Sequence, residues 1–401
     1  MRYLIKRSLL LKFEHFFLSE FEKVDSQNDI SLFEGRSSAL LLNSILCLNN
    51  EVLDRSVYID RNIEFIVGVL EKKTIINTSY SNGLAGLGFC LNYIQKKNLS
   101  NFDLEDILTE IDQAVKVSLS EYVERNDFDL LHGALGIGCY FLYRKNSINI
   151  IEHLIDELEY SCEKNENEYK WHQYDKYRSK KYVYDFGLAH GNVGILYFLA
   201  KTYKHGIKKE KCKNLITGIL AFYKNNLQES NKSGSFFPNF KGVDNYDQTE
   251  ASYSRLAWCY GDLGILYSMN LISKWISDKE LENFSEYLLI QTTKRKDYKS
   301  TLVKEAAFCH GSSGLAYIYF KMYLKTGNSL FMCTSKYWLK ETMAYSNEKN
   351  NMSVDYFNVS KKSNANSSSI GLINGLAGVG AILTTIANPT LVDWDEVFFL
   401  S

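Results

Sequence analysis

Two cysteines and a histidine have the residue types and the spacing of a zinc site. Cys259 lies in the segment WCYGDLG and Cys309 in FCHGSSG, where His310 follows it directly. Each cysteine stands two residues before a glycine, so both occupy the same position of a repeated motif. Thiolate and imidazole ligands suit zinc. Three protein ligands and an open fourth position are typical of a catalytic zinc rather than a structural one.

The competing interpretation is that these cysteines are small buried hydrophobic residues. The chain has eight cysteines, and several of them lie in apolar runs, among them Cys47, Cys90 and Cys139. Buried thiols of this kind are common and inert. Only the matched position of Cys259 and Cys309, with a histidine beside one of them, favours metal binding.

A glycine motif recurs along the chain and predicts the elements that would position these residues. Each copy reads approximately polar-Gly-x-x-Gly and is followed by about ten apolar residues, which is typical of a helix buried on most sides. The copy from Glu34 is degenerate because a serine replaces its second glycine. Amphipathic stretches between the copies, such as Leu104–Val123 and Asn283–Lys294, predict outer helices with one wet face. The leading glycines are Gly35, Gly83, Gly133, Gly191, Gly261, Gly311 and Gly375.

This alternation predicts an all-α fold, an α/α toroid in which the motif residues converge. We expect one domain over residues 1–401, because no linker divides the chain. Three polar insertions, Cys162–Asp185, Gln228–Ser254 and Asn347–Ile370, lengthen individual repeats. Whether they carry strands or cover a central cavity is left open by the sequence.

Composition excludes some classes of partner. Forty-six basic residues nearly balance forty-seven acidic ones, giving a formal charge of −1. We therefore expect no broad surface for nucleic acid or anionic lipid. No run of about 18 apolar residues predicts a transmembrane helix. The N-terminal segment MRYLIKRSLLLKFEHFF is interrupted by Lys12, Glu14 and His15, unlike a secretory signal, so we expect a cytoplasmic protein with reduced thiols.

The segments WCYGDLG and FCHGSSG resemble the two zinc-binding motifs of the lanthionine synthetase C-like family, and SRLAWCYG from Ser254 extends the match. The repeats run from Gly35 to Leu383, so the resemblance spans nearly the whole chain. It implies a toroid of seven inner and seven outer helices and a Zn²⁺ cofactor. It also implies a cyclase that adds a peptide cysteine thiol to dehydroalanine or dehydrobutyrine, which makes thioether rings in a ribosomally made precursor peptide.

The same resemblance implies three catalytic residues. His190 in GLAHG matches the histidine of a family motif and is the candidate acid that protonates the enolate formed by thiol addition. Asp129 in DFDLLHG falls where the family carries an aspartate, which would orient His190 or accept the thiol proton. Arg255 matches a family arginine that could stabilise the enolate.

Three positions depart from the family pattern. His132 stands in an HG pair where the family relies on the preceding aspartate, and we interpret it as a helix-start residue. The polar residue common after the CHG segment is missing or replaced by Tyr317, and Asp262 stands where a less polar residue is usual. These departures affect the substrate more than the metal.

The expected partners are a dehydrated precursor peptide and a separate dehydratase, because one toroid uses the whole length. Two alternatives stay open. A prenyltransferase-like toroid also alkylates thiols with zinc, but its ligand set includes a carboxylate and its motifs do not match. A non-cyclising protein of the same scaffold would bind thiols or peptides without transforming them, and it would not need His190, Asp129 and Arg255 together.

Overall fold

The computed structural model describes residues 29–49, 56–72, 77–175, 179–243, 253–344 and 370–401. Two compact units make up the chain, one formed by residues 1–115 with 304–401 and the other by residues 116–303. The N-terminal leucine run and nearly all of the insertion Asn347–Ile370 lie outside the described residues. The expectation of a single domain stays a prediction.

Every glycine motif is followed by an α-helix, including the degenerate copy at Glu34. These helices consist of apolar side chains that are buried on almost every face, as the runs of buried residues from Leu84 to Ile94 and from Ala134 to Leu142 show. The prediction of glycine-led inner helices is therefore confirmed. The seven helices are α1 (Arg36–Asn49), α3 (Leu84–Lys96), α5 (Ala134–Arg144), α7 (Asn192–Lys204), α10 (Asp262–Trp275), α13 (Ser312–Thr326) and α15 (Leu376–Ala387).

Helices with one wet face alternate with the glycine-led helices. The predicted stretch Leu104–Val123 forms α4 (Glu105–Glu124), and Asn283–Lys294 falls largely within α11 (Lys279–Thr292). A 3-10 helix, Pro389–Phe398, follows α15. The remaining helices are α2 (Ser56–Leu70), α6 (Ile148–Ser161), α8 (Lys209–Asn225), α14 (Ser329–Ala344) and the short α9 (Ser230–Ser233) and α12 (Tyr298–Thr301).

Within each unit, consecutive glycine-led helices pack against one another. In the unit of residues 116–303, α7 contacts both α5 and α10, and α6, α8 and α11 each cover the inner helix that precedes them. In the other unit, α15 contacts α13 and α1, and α1 also contacts α3. Apolar burial on this scale is the main stabilising term of the fold. The last repeat therefore packs on the first, as expected for a toroidal arrangement of repeats.

The second glycine of the motif is required by a close approach of backbone. A Cβ atom at Gly314 would collide with the carbonyl oxygen of Phe308, and one at Gly264 with that of Trp258. Each helix therefore begins against the loop that leads into it. Among the leading glycines that start these helices, Gly261 has a left-handed φ of +99°, whereas Gly311 has an extended φ of −111°. Position Gly261 thus favours glycine for its dihedral angle as well.

The insertion Cys162–Asp185 carries strands, which the sequence left open. Strands β1 (Glu163–Asn165) and β2 (Glu168–Lys170) form an antiparallel hairpin. Strands β3 (Gln173–Tyr174), β4 (Tyr182–Asp185) and β5 (Phe240–Gly242) form an antiparallel sheet in the order β3-β4-β5, with Val183 opposite Gly242. The second insertion, Gln228–Ser254, thereby contributes β5 to the strands of the first.

Across the described ranges, no helix is both long and apolar enough to cross a bilayer.

Candidate active site

The loops that precede neighbouring glycine-led helices are joined by backbone hydrogen bonds at the repeat position that the two motif cysteines occupy. In one unit the backbone N–H of Ala189 donates to the carbonyl of Cys259 at 3.2 Å. In the other unit the N–H of Cys309 donates to the carbonyl of Ile373 at 3.0 Å. All four residues stand two positions before a leading glycine. The register that the sequence predicted from the glycines is therefore the register of the structure.

The two motif cysteines lie on rigidly packed loops. Cys259 follows Trp258, whose side chain is fully buried, and is itself only 4% exposed. Cys309 follows Phe308, whose ring stacks on Phe398 with centroids 3.8 Å apart. The aromatic residue before each cysteine anchors its loop, so each thiol is held in place by the apolar core beneath it.

The predicted metal ligands satisfy a simple test of fit. Cys259 lies in the loop before α10, in the unit of residues 116–303, and Cys309 and His310 lie in the loop before α13, in the other unit. Two sulfur donors and one imidazole are the donor types that zinc prefers. The donor set therefore fits zinc.

His190 and Asp129, which the resemblance paired, lie in direct contact. Nδ1 of His190 is 2.6 Å from Oδ2 of Asp129. Oδ1 of Asp129 accepts the backbone N–H groups of Leu131 and His132, each at 2.8 Å. The carboxylate is thus fixed by its own loop and offers one oxygen to the imidazole. The side chains are only 18% and 13% exposed, so solvent screens the pair weakly.

This contact controls the charge of the histidine. Burial opposes the imidazolium, but the charge and hydrogen bond of Asp129, with further contributions from Asp185 and Cys259, raise the pKa of His190 to about 9. Burial likewise opposes the ionised form of Asp129, yet the charge and hydrogen bond of His190 lower the pKa of that carboxyl. His190 is therefore protonated at neutral pH, and its Nε2–H is not used by Asp129.

Two further rings flank His190. The imidazole of His132 stacks on it with centroids 5.4 Å apart and planes 11° apart, and the ring of Tyr260 lies 5.5 Å away. The sequence assigned His132 only to a helix start. The structure places His132 beside the candidate acid. Both histidines stand one residue before a leading glycine, and this shared position could have suggested their contact.

These side chains line a cavity of about 550 Å³ within the unit of residues 116–303. The lining includes Asp129, His132, His190 and Tyr260 together with residues of the strand-bearing insertion. The insertion contributes Trp171, His172, Tyr174 and Tyr182. The cavity could hold several residues of an extended peptide between the protonated histidine and an aromatic wall.

Arg255, the third predicted catalytic residue, is not part of this lining. Its side chain is half-buried. Within the described ranges its guanidinium makes no hydrogen bond or ion pair, so its charge is not committed to another side chain. The structure thus brings His190 and Asp129 together in the cavity and leaves Arg255 outside the lining.

Sequence reasoning missed the roles of several buried polar groups. Asp262 is fully buried and forms an ion pair with Arg295, Nη1 to Oδ2 at 2.7 Å, while accepting the N–H groups of Phe236 and Phe237. Even so, burial raises the pKa of Asp262 to about 6. Nothing in the sequence pointed to Arg295. Asp262 thus anchors the second insertion to the start of α10, which explains why a polar residue stands at this position.

Tyr317 belongs to the core. It is fully buried, and its hydroxyl donates to Oδ2 of Asp395 at 2.8 Å, beside the ion pair between Asp395 and Lys321. The polar group after the CHG segment therefore fastens the C-terminal 3-10 helix to α13.

Comparisons with known proteins agree with this geometry. The family model of the lanthionine synthetase C-like protein matches residues 28–399. The nisin biosynthesis protein NisC of Lactococcus lactis subsp. lactis is 26% identical over 295 residues, which cover 67% of this chain and 68% of that protein. The solved structure of nisin cyclase superimposes with a TM-score of 0.76 and 20% identity over 98% of each chain, which confirms the predicted toroid class of fold. The chain belongs to the lanthionine synthetase C-like family.

Proposed function

We propose that this protein is a zinc-dependent peptide cyclase that forms thioether rings in a ribosomally made precursor. The observation that carries the proposal is the His190–Asp129 pair on the wall of a peptide-sized cavity. Addition of a thiol to a dehydroamino acid needs an acid that is protonated at neutral pH and can reach the α-carbon. A histidine held charged by a buried carboxylate meets that requirement.

Cys259, Cys309 and His310 would hold the metal, and the donor set supports this assignment. A zinc ion bound there would stabilise a substrate cysteine as its thiolate, which is the nucleophilic form. The two protein thiolates add negative charge to the site, so the substrate sulfur keeps its nucleophilicity. The backbone hydrogen bonds at Cys259 and Cys309 fix both loops before any ligand binds.

The reaction balances with the groups that the chain provides. The substrate sulfur forms a bond to the β-carbon of the dehydroamino acid, and the π electrons of the double bond move to give an enolate. Nε2 of His190 then donates its proton to the α-carbon, while Asp129 holds Nδ1. The thiol proton leaves to solvent when the thiolate forms, and neutral His190 later takes a proton from solvent, so one turnover leaves the enzyme unchanged.

Arg255 would act on the developing negative charge. Its guanidinium is half-buried and makes no ion pair within the described residues, so its charge is available to an anionic oxygen. A charged donor placed before the reaction stabilises the enolate without reorganisation. Because Arg255 is not part of the cavity lining, we expect it to reach the enolate only when the peptide is bound.

We further propose that the partners are a dehydrated precursor peptide and a separate dehydratase, and that the protein works in the cytoplasm. The eight cysteines are all free, which agrees with a reducing compartment. The name of the relative NisC supports the substrate class, since that protein takes part in nisin biosynthesis.

The test combines metal analysis with a count of free thiols on a dehydrated peptide. We expect about one zinc per wild-type chain and a loss of alkylatable peptide thiols with time. Cys309→Ala should lose both zinc and activity, whereas Cys333→Ala, at an exposed cysteine, should keep both. Wild-type protein that binds zinc and peptide but leaves every thiol free would favour the non-cyclising alternative and contradict the cyclase.

A further inference from the structure

One position of the repeat carries a different type of residue in the two repeats that contain the motif cysteines. It lies six residues before each leading glycine. The backbone carbonyl of the residue at this position accepts an N–H from the first turn of the next helix, at distances of 2.8 to 2.9 Å. This hydrogen bond is made by the carbonyls of Asp29, Asn77, Asp127 and Glu305. In the described residues this position is filled by Asp29, Asn77, Asp127, Asp185, Arg255 and Glu305.

In four of these repeats the short side chain closes its own loop. Oδ1 of Asp29 accepts the N–H of Ser31 at 2.8 Å, and Oδ1 of Asn77 accepts that of Ser79 at the same distance. Asp127 and Asp185 do the same with the residue two positions on, at 3.3 and 2.6 Å. An Asp or Asn at this position is therefore a loop-closing residue, as its short side chain favours.

In the sixth repeat the longer side chain of Glu305 takes a different contact. Oε1 of Glu305 lies 2.6 Å from Nε2 of His310. The carboxylate is 6% exposed, so a charge-bearing partner is needed to offset its burial. The backbone role of the position is unchanged, since the carbonyl of Glu305 still accepts the N–H of Ser312 at 2.9 Å. Only the side chain has been redirected from its own loop to the histidine.

We propose that Glu305 is the positioning residue of His310, holding Nε2 so that Nδ1 is the ring nitrogen left for the metal. The inference rests on the proposed zinc site. Histidine ligands commonly donate their second ring N–H to a carboxylate, which fixes the tautomer and the ring orientation. Here the repeat shows that the glutamate is not needed to build the loop. Its length is what allows it to reach His310.

The repeat also provides the test, since aspartate is the residue that closes this loop elsewhere in the chain. Zinc affinity is measured by competition with a chromophoric chelator, and the unfolding temperature is measured on metal-free protein. We expect Glu305→Asp to keep the unfolding temperature and to weaken zinc binding about 10- to 100-fold. Glu305→Gln, whose amide oxygen can still accept from Nε2–H, should bind zinc more tightly than Glu305→Asp. The matched control Glu280→Asp, at an exposed residue of α11, should change neither quantity.

Two results would overturn the role of Glu305. One is wild-type zinc affinity in Glu305→Asp. The other is a drop in the unfolding temperature of metal-free Glu305→Asp, which would show that the glutamate supports the loop. A wild-type protein that binds no zinc would instead refute the metal site of the proposed function, and the role of Glu305 with it.

Discussion

Nδ1 of His190 lies 2.6 Å from Oδ2 of Asp129, although the two residues belong to different repeats. Each stands in the loop that leads into its own glycine-led helix, and helices α5 and α7 that follow are neighbours. The contact is therefore a product of the repeat: the fold places the two loops side by side, and the sequence provides a carboxylate on one and an imidazole on the other.

The first prediction concerns the pH dependence of cyclisation. The pKa of His190 is raised to about 9, so its acid form is complete at neutral pH and is lost as the pH rises through about 9. In Asp129→Asn the carboxylate charge is removed, and the pKa of His190 should fall to about 6.5 or lower. We expect activity at pH 8 to fall at least about tenfold, because little of the acid form is left. The measurement is the rate of thiol loss from a dehydrated peptide between pH 6 and pH 10.

The pH profiles of wild type and Asp129→Asn together test whether His190 is the acid that limits the rate. An alkaline limb that stays at the same pH in Asp129→Asn would show that another group limits the rate. Zinc content measured on the same samples separates this effect from loss of the metal.

A second prediction separates the acid from the metal. His190→Ala should keep its zinc, because His190 is not a ligand, and should lose about 10²- to 10⁴-fold in turnover, the usual range for a general acid. His153→Ala, on the exposed face of α6, is the matched control and should behave as wild type. Loss of zinc in His190→Ala would mean that its role has been misassigned.

The third prediction concerns the buried ion pair that anchors the second insertion. The side chain of Arg295 is only 11% exposed, and in Asp262→Ala its guanidinium loses its carboxylate partner. We expect the free energy of unfolding to fall by about 3–5 kcal/mol, as is usual when one partner of a buried pair is removed. Denaturant titration of each variant gives this quantity.

The double variant Asp262→Asn with Arg295→Met is the informative comparison for that pair. It removes both charges, so it should cost less than Asp262→Ala alone. A smaller effect of the single variant than of the double variant would contradict the view that the unpaired, buried guanidinium causes the loss of stability.

A fourth prediction contrasts two glycines. A Cβ at Gly314 would collide with the carbonyl of Phe308, so Gly314→Ala should lower the free energy of unfolding by about 1–3 kcal/mol. Gly68 in α2 has open space around it, and Gly68→Ala should stabilise the protein by about 0.5–1 kcal/mol. Equal effects in denaturant titration would contradict the view that the motif glycine is needed for close packing.

The sequence was most informative where the repeat imposes geometry. Glycine spacing predicted the inner helices, and the position two residues before each leading glycine predicted that Cys259 and Cys309 are equivalent. His190 and Asp129 required the family resemblance, because an isolated histidine and aspartate carry no geometric signal. Their contact in the structure supports that reading.

Other features depend on contacts between segments that no local pattern links. The pairing of β5 with β4 joins two insertions, and the ion pair of Asp262 with Arg295 joins the start of α10 to the segment after α11. Glu305 could have been noticed by aligning the position six residues before each glycine. Its contact with His310 follows from side-chain length rather than from the motif.

The most direct measurement of the central claim is cyclisation of a dehydrated peptide in deuterium oxide, followed by mass spectrometry in ordinary water. Addition of a thiol does not change the mass of the peptide in ordinary water, but protonation of the enolate in deuterium oxide leaves one carbon-bound deuterium for each ring. We expect wild-type protein to add one deuterium and remove one alkylatable thiol per ring, and Cys309→Ala to do neither. A wild-type reaction that leaves the thiols free and adds no deuterium would contradict the assignment of this protein as a cyclase.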